Sequence, residues 1–412
     1  MTVDEAHGQG RGPGPLAGMK VIESAAVVAG PYCGLMLADL GAEVIKLERY
    51  PRGDESRNMV PPYLEGEAPP YLMLNRNKRG VVFDIRTPAG QDIFRRLARD
   101  TDVIVENYRK GVMERLGIGY DDLRQDNPGL IYCAISGFGR TGPYASRGGY
   151  DLVAQGMSGL MSITGEGPGR PPVKVGGAIT DWGGGLMAVI GIIAAYANRL
   201  QTGEGQFVDT SLFEAGIAAT FHQTAMTLAS GVSPGPMGSA HPLGAPYQAF
   251  QTADGWLNVG AGTQAMWPRL TKVLGVPEMA DDPRFLTVAD RMTHLDELIA
   301  EISPLFETHT VDEWLAIFEA EGIPGGPVLS IGEMLEDPQT IAREMITEVP
   351  HSRLGTVKTL GTPIKFSGTP TALRRGAPLL GEHTAEVLGE LGYSDGEVAA
   401  FVEDGTVIVA GE

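Results

Sequence analysis

The chain has 412 residues, enough for two or three domains with a sizeable hydrophobic core. Apolar residues make up 43% and charged residues 20%, a composition typical of globular proteins that excludes a wholly disordered or fibrous chain. The formal net charge is −19, which repels nucleic acid and anionic membranes unless positive charge is concentrated locally, so we expect neither as a partner.

The N-terminal residues 1–15 are polar and rich in Gly and Pro, so we expect a disordered tail. They lack the apolar segment of a signal peptide, so we do not expect one. Cys33 and Cys133 are too few for a disulfide framework or a cysteine metal site. The apolar stretch Leu186–Ala197 is shorter than the roughly 18–20 residues of a membrane span and predicts a buried core helix. These features predict a soluble cytoplasmic protein without a metal site.

The first part of the chain alternates strands with helices, which favours an α/β fold with a parallel, doubly wound, Rossmann-like sheet. The predicted strands are Lys20–Glu23, Glu43–Glu48, Asp102–Glu106 and Leu130–Ile135. Helices are predicted up to Leu40, over Gln91–Ala98 and around Gly111–Leu116. Ligands of such sheets bind beyond the carboxyl ends of the strands. Here those ends are Ala26–Pro31, Glu48–Arg57, Asn107–Arg109 and Ser136–Gly139.

The pattern changes in the second part. A long apolar helix is predicted over Asp181–Leu200, followed by a strand at Gly205–Thr210 and a second long helix through Leu228. We predict a large α/β domain from residues 16–228 and 337–412, a Pro/Gly-rich linker at 229–253, and a smaller α+β domain at 254–336. In the smaller domain, a capping box at Thr310–Glu313 predicts a helix that stops at Gly322.

Basic residues are concentrated in one segment. Residues 46–115 contain fourteen of the 32 lysines and arginines, several of them at or just beyond predicted strand ends. An acidic protein that binds a polyphosphate ligand needs such a local patch. We interpret three as a solvated helix face: Arg95, Arg96 and Arg99. Four are candidate phosphate contacts: Arg49, Arg86, Arg109 and Arg115.

The string Asp181-Trp-Gly-Gly-Gly185 at the start of the long helix has two interpretations. An aspartate before a helix is a common N-cap, which accepts hydrogen bonds from first-turn amides. A carboxylate beside free first-turn amides can also serve as the nucleophile of an acyl transfer. The glycines, each costing about 1 kcal/mol relative to Ala, suit a close approach of another molecule to the backbone. Spacing alone leaves both interpretations open.

Other catalytic motifs are missing from the sequence. It has no G-x-G-x-x-G after the first strand, no P-loop, no H-E-x-x-H and no EF-hand loop, which disfavours dinucleotide, ATP and zinc-protease chemistry. The seven histidines are scattered, so no metal site is predicted from them.

Strings over nearly the whole chain resemble the family III CoA-transferases, a group that includes formyl-CoA transferase, carnitine and succinyl-CoA-dependent transferases, and alpha-methylacyl-CoA racemase. The matching strings are Pro15–Glu23, Ala29–Pro31, Leu40–Glu48, Asn75–Arg79, Asp102–Asn107, Gly137–Gly139, Gly203–Gln206 and Leu380–Thr384. The resemblance implies a large doubly wound domain, a small domain, long linking segments and a homodimer whose subunits interlock.

The resemblance also implies site residues. Asp181 becomes the nucleophile, which forms an acyl-aspartyl anhydride and then an aspartyl-CoA thioester before an acceptor acid takes the CoA. The CoA thioester is a substrate, and no cofactor is permanently bound. The implied CoA-binding positions are Arg49, Phe83, Asp84, Ile85, Arg86, Asn107, Tyr108, Arg109 and Arg115.

Two substrate positions depart from the family pattern. Tyr150 stands where the racemase branch has an acid/base histidine, and a tyrosine of pKa about 10 is a poor base near neutrality, so transferase is favoured over racemase. Val28 stands where the formyl-CoA branch has a glutamine, and its apolar side chain cannot hydrogen-bond oxalate. We predict a CoA-transferase acting on another dicarboxylate or an aliphatic acid. The alternatives are a 2-methylacyl-CoA racemase and a non-catalytic CoA-binding protein.

Overall fold

The computed structural model describes residues 14–411, which form two compact units. Of the described residues, the first unit contains 14–158, 176–219 and 338–411. The second contains Gly159–Val175 and Thr220–Asp337. The predicted tail, residues 1–15, lies almost entirely outside the described residues.

The elements follow the chain in alternating order through the first unit. The strands are β1 (Lys20–Ser24), β2 (Glu43–Glu48), β3 (Lys78–Phe83), β4 (Val103–Glu106), β5 (Ile131–Ser136), β6 (Phe207–Ser211), β7 (Tyr247–Gln251), β8 (Trp256–Gly260), β9 (Gly325–Pro327), β10 (Ile346–His351), β11 (Gly355–Leu360) and β12 (Val407–Ile408).

The helices vary from one turn to 24 residues, with short 3-10 helices at Glu55–Asn58 and Pro277–Asp281. They are α1 (Ala29–Asp39), α2 (Pro69–Leu74), α3 (Pro88–Arg99), α4 (Val112–Arg115), α5 (Tyr120–Leu123), α6 (Asp151–Met157), α7 (Leu160–Ile163), α8 (Ile179–Thr202), α9 (Leu212–Ala218), α10 (Phe221–Ser230), α11 (Trp267–Val273), α12 (Val288–Thr293), α13 (Leu295–Phe306), α14 (Val311–Glu321), α15 (Ile331–Glu336), α16 (Pro338–Ala342), α17 (Thr384–Glu390) and α18 (Asp395–Glu403).

Within the described residues, seven strands of the first unit form one sheet in the order β12-β3-β2-β1-β4-β5-β6. All neighbours are parallel except β12, which runs antiparallel to β3. The predicted parallel, doubly wound sheet is therefore confirmed. The chain proceeds outward from β1 to β2 and β3, then returns to β4 on the other side of β1. The reversal leaves a crevice at the carboxyl ends of β1 and β4, where ligands of such folds bind.

Helices cover both faces of the sheet. Successive residues of a strand point to opposite faces, so each central strand contributes side chains to both. On β1, Val21 joins a cluster with residues of α1 and α8, whereas Ile22 joins a cluster with residues of α3 and α17. Burial on both faces explains why the central strands read as continuous apolar runs.

Helix α8 begins two residues before the predicted start and carries an apolar surface around much of its circumference. Its buried face packs against α1, α9 and β5, so the predicted buried core helix is correct for that face. The opposite face exposes Met187, Ile190, Ile193 and Leu200. An 18-residue stretch of α8 has a mean hydropathy of 1.4, so by length and composition the helix is also long and apolar enough to cross a membrane. Core helices of soluble proteins share this property.

The second unit differs from its predicted boundaries. Residues 229–253, predicted as a linker, include β7, which pairs antiparallel with β8 through the turn at Thr252–Gly255. The Pro/Gly-rich composition before Tyr247 obscured this short strand. Residues 159–175 also belong to this unit rather than to the large domain. The predicted second long helix is two helices, α9 and α10.

Candidate active site

A cavity of about 720 Å³ lies at the carboxyl edge of the large sheet. Its wall is built from the segments that follow β1 to β5 and from the first turns of α8 and α9. This is the crevice that the strand order creates, and its volume is typical of small-molecule sites.

Eleven of the predicted site residues line this cavity: Val28, Arg49, Phe83, Asp84, Ile85, Arg86, Asn107, Tyr108, Arg109, Tyr150 and Asp181. Arg115, at the end of α4, is exposed and does not line it. Its guanidinium lies over Gly111 instead, since a Cβ at that glycine would be 2.8 Å from Nη1. The fold thus gathers positions spread over 150 residues of sequence, and their contact with a ligand stays a prediction.

Asp181 is the third residue of α8 and not its N-cap, which is Ala178. The first-turn amide of Thr180 is instead bound by the carboxylate of Asp151, at 2.9 Å from Oδ1. The amide of Ile179 donates to the carbonyl of Gly177. The expectation that free first-turn amides surround Asp181 is therefore wrong for these two donors.

The cavity wall contains five carboxylates among the described residues, and four of them have a cationic partner. The pairs are Glu48 with Arg57 at 2.7 Å, Asp54 with Lys46 at 2.8 Å, Glu55 with Arg49 at 3.4 Å, and Asp84 with Arg86 at 2.8 Å. Among the cavity carboxylates that the structure describes, only Asp181 has neither an ion pair nor a side-chain hydrogen bond. Burial, with the like charge of Asp151, raises the pKa of Asp181 to about 7.

The glycines after Asp181 serve helix packing. A Cβ on Gly185 would lie 2.7 Å from the carbonyl oxygen of Ala29 and 3.1 Å from the ring of Tyr32. A Cβ on Gly183 would lie 3.3 Å from Ala215. The close neighbours are α1 and α9 of the same unit, rather than the separate molecule expected from the sequence.

The segment between β1 and α1 reaches the cavity and is held by side chains from two other strand ends. The side-chain amide of Asn107 accepts from the N–H of Ala26 at 3.1 Å and donates to its carbonyl at 2.8 Å. The carboxylate of Asp54 accepts from the N–H of Val27 at 3.1 Å. Asn107, predicted to bind CoA, therefore uses both amide atoms to position this segment.

Beneath that segment lies a buried charge network that the sequence analysis missed. Lys46 donates to Glu23 and Asp54, each at 2.8 Å, and Lys78 lies 2.6 Å from Glu23. Despite burial, Lys46 holds the pKa of Asp54 at about 2, whereas burial lowers the pKa of Lys78 to about 8. Charged residues inside otherwise apolar strands were the available signal, because such residues are buried only when paired.

A second missed pair supports the turn after β4. Glu106 pairs with Arg140, both buried, and accepts from the N–H of Tyr108 at 2.7 Å. Burial raises the pKa of Glu106 to about 7, against the opposing effect of Arg140. This pair orients the Asn107–Arg109 turn from below.

The comparisons with known proteins identify the family. The sequence profile of CoA-transferase family III matches residues 16–384. The chain belongs to this family. A succinate–glutarate CoA-transferase of Agrobacterium fabrum is 42% identical over 92% of this chain and 96% of its own length. The human succinyl-CoA:glutarate CoA-transferase is 38% identical over 95% of this chain and 90% of its own.

Solved structures of the family have the same architecture. A CAIB/BAIF family protein from Brucella suis has a TM-score of 0.81 and 40% sequence identity, covering 92% of this chain and 99% of its own. The predicted family and enzyme class are thereby confirmed: this family III CoA-transferase is a transferase enzyme. No group of three or more His, Cys, Asp or Glu placed to hold a metal occurs in residues 14–411.

In this CoA-transferase, the basic residues of segment 46–115 divide into two sets. Several bind acids of their own chain and are structural, as with Arg57 on Glu48, Arg76 on Asp39 and Arg79 on Glu386. The second set lines the cavity and is exposed: Arg109 and Lys110, together with Arg49 and Arg86, which pair with Glu55 and Asp84 of the cavity wall. In the described part of the chain, Arg109 and Lys110 form no ion pair. An adjoining cavity of about 370 Å³ adds Arg52 to this basic edge.

Proposed function

We propose that this family III CoA-transferase moves CoA from an acyl-CoA to a carboxylic acid, with Asp181 as the covalent nucleophile. The observation that carries the proposal is the unpaired carboxylate of Asp181, which shares a cavity with the exposed guanidinium groups of Arg49, Arg86 and Arg109. A nucleophile must be free of competing partners, and an anionic ligand needs cationic contacts. Both requirements are met in one crevice.

In the proposed reaction, a carboxylate oxygen of Asp181 attacks the thioester carbonyl carbon. The C–S bond breaks, CoA leaves as the thiolate with the electron pair, and an acyl-aspartyl anhydride forms. The thiolate then attacks the aspartyl carbonyl of the anhydride, which releases the donor acid as its carboxylate and leaves an aspartyl-CoA thioester. The acceptor carboxylate repeats the sequence in reverse, forming a new anhydride and then a new acyl-CoA, and Asp181 is restored with no net proton consumed.

For the substrate pair we propose dicarboxylic acids of four or five carbons, with succinyl-CoA as donor. The relatives named for succinate and glutarate support this choice. Arg147 and Lys110 also line the cavity, exposed, and can pair with the distal carboxylate of such an acid. The apolar Val28 in the same wall suits the methylene chain.

The nucleophile is tested with Asp181→Asn. Because the amide cannot attack a thioester, transfer from succinyl-CoA to glutarate should fall by at least about a thousandfold, while the protein stays folded and binds CoA. Wild-type protein with succinyl-CoA should be inactivated by hydroxylamine, with a hydroxamate at Asp181 by mass spectrometry. Transfer near the wild-type rate in the variant would overturn the proposal.

The same assay distinguishes the two alternatives. A 2-methylacyl-CoA racemase would incorporate solvent deuterium at the α carbon without an acceptor acid. A non-catalytic CoA-binding protein would show no transfer with any pair from a panel of acyl-CoA donors and acids.

The binding site is tested with a matched pair of arginines. Arg109→Ala should raise the KM for acyl-CoA, with less effect on kcat. The rise should correspond to a loss of binding free energy on the order of 1–3 kcal/mol, as for one charge-assisted contact. Arg115→Ala removes the same charge outside the cavity and should leave KM unchanged. Equal effects of both variants would contradict the placement of CoA in this cavity.

We propose an interlocked homodimer in the cytoplasm, where CoA thioesters are available. The exposed apolar face of α8 supports a second chain: Ile190 is 60% and Leu200 72% exposed. Helix α10 supports it independently, because none of its residues is buried and Leu228 is 83% exposed. Several exposed apolar side chains on one helix are typical of an interaction site.

A further inference from the structure

We propose that Asp151 is the positioning residue of the nucleophile: its carboxylate holds the turn of α8 that carries Asp181 and places a second negative charge near it. The inference rests on the proposed function, because it assigns a role relative to an Asp181 that attacks the thioester. Asp151 does not line the cavity, so it acts through Asp181 and not on substrate.

The carboxylate of Asp151 links the first turns of α6 and α8 through hydrogen bonds to Thr180 and Gln155, an arrangement that we call the clasp. Asp151 is the first residue of α6, and its Oδ1 accepts from both the backbone N–H of Thr180, at 2.9 Å, and the hydroxyl of Thr180, at 2.7 Å. Its Oδ2 accepts from the side-chain amide of Gln155 at 2.7 Å. Both carboxylate oxygens are therefore used.

The partners of the clasp are themselves immobilised. Thr180 is 1% and Gln155 0% exposed. A Cβ on Gly216 of α9 would lie 3.2 Å from the methyl group of Thr180, which shows how closely α9 packs against it. The N-cap residue Ala178 makes no side-chain hydrogen bond to the first turn of α8. Asp151, which lies outside the helix, accepts from a first-turn N–H in its place. Asp181 follows Thr180 directly, so its direction into the cavity depends on this turn.

A neutral asparagine could make the same clasp, which leaves the charge of Asp151 to be explained. The charge of Asp151 on α6 acts on Asp181. From α1, Tyr32 packs beside Trp182, and burial raises its pKa so that it stays neutral. The like charge therefore supplements burial in raising the pKa of Asp181 to about 7. A more basic carboxylate is a stronger nucleophile while still ionised near neutrality.

The charge and the clasp are separated by two variants. In Asp151→Asn, the side-chain oxygen still accepts from Thr180, and Gln155 can reverse its amide to accept from the new NH2. We expect transfer at high pH within about threefold of wild type, but the acid limb of kcat/KM should move to lower pH by roughly one unit, because removing a negative charge lowers the pKa of Asp181. Asp151→Ala loses the clasp, and kcat should fall on the order of tenfold to a hundredfold at every pH.

Asp121→Asn is the matched control, since it removes the same charge from a side chain that is 94% exposed and outside the cavity. It should change neither the rate nor the pH profile. An Asp151→Asn profile that coincides with wild type, or an Asp151→Ala enzyme with full kcat, would overturn the inference.

Direct titration of Asp181 separates a failure of this inference from a failure of the proposed function. The carboxyl carbon of Asp181 in 13C-aspartate-labelled protein, assigned by its loss in Asp181→Asn, should titrate at lower pH in Asp151→Asn than in wild type. Absence of transfer with a shifted titration would refute the function alone. An unshifted titration with active transfer would refute the role of Asp151 alone.

Discussion

The segment Ala25–Val28 shows how single side chains set the geometry of the candidate site. Val27 has a φ of 72°, a left-handed conformation that β-branched residues adopt at a cost of about 1–3 kcal/mol. It persists because its N–H is bound by Asp54 and the preceding residue is bound twice by Asn107. Asp54 is in turn fixed by the buried Lys46. Backbone strain held in this way, next to a cavity, indicates a segment shaped for function.

We therefore expect Asn107→Ala to release this segment. The backbone groups of Ala26 lose their partners, so the free energy of unfolding should fall by about 1–3 kcal/mol, measured by denaturant titration, and kcat/KM should fall further than stability explains. Asn107→Asp keeps the acceptor but not the donor and should give an intermediate loss. A variant whose unfolding and kinetics both match wild type would contradict the positioning role.

At the scale of elements, His383 and Thr384 near the C-terminus stabilise β3, a strand whose carboxyl end reaches the candidate site. The backbone N–H of His383 donates to the carbonyl of Gly80 at 2.9 Å, and the imidazole Nδ1 of His383 accepts from the backbone N–H of Gly80 at 3.2 Å. The hydroxyl of Thr384 accepts from the N–H of Val82 at 3.1 Å. The two bonds to Gly80 satisfy the edge of β3 beyond the short β12, which pairs with Val82 and Phe83. Together the three bonds hold the strand from which Phe83–Arg86 extends to the cavity.

Helix packing gives a second expectation at this scale. Gly185→Ala should destabilise the protein by about 1–3 kcal/mol, because the new Cβ would lie 2.7 Å from a backbone oxygen of α1. That oxygen can move away only if the backbone of α1 shifts. Gly389→Ala, in α17 with no atom within 4 Å of its Cβ, should instead stabilise by about 0.5–1 kcal/mol. Denaturant midpoints of the two variants measured side by side test this, and a Gly185→Ala protein as stable as Gly389→Ala would disprove the packing argument.

At the scale of the whole molecule, each unit has apolar surface that no other part of residues 14–411 covers. In the first unit it follows α8 at Ile190, Ile193 and Leu200, and in the second it follows α10 at Phe221 and Leu228. Exposed apolar patches of this kind are typical of interaction surfaces. We attribute the covering to a second copy of the chain.

Stability should then depend on concentration. For a dimer without a stable folded monomer, Tm rises with protein concentration, and light scattering gives twice the chain mass of 43.7 kDa. Ile190→Glu should lower Tm and shift the dissociation midpoint to higher concentration. A Tm that is constant over a hundredfold dilution, with the chain mass of a monomer, would exclude the dimer.

The sequence alone was sufficient for features encoded locally. Short apolar runs that alternate with helical segments predicted β1, β2, β4 and β5, and the capping box at Thr310 predicted α14. The family followed from strings along the chain, and with it Asp181 as the candidate nucleophile. These signals are readable because hydrophobic periodicity and capping depend on neighbouring residues.

The tertiary structure decided what depends on distant partners. Asn107 binds Ala26 from 81 residues away, and Asp151 binds Thr180 from 29 residues away, so neither role can be read from local pattern. Arg115 lies outside the cavity although it belongs to the same basic segment as Arg109. Hydrogen bonds and ion pairs form where the fold brings groups within about 3 Å, a condition set by the packing of the whole sheet and its helices.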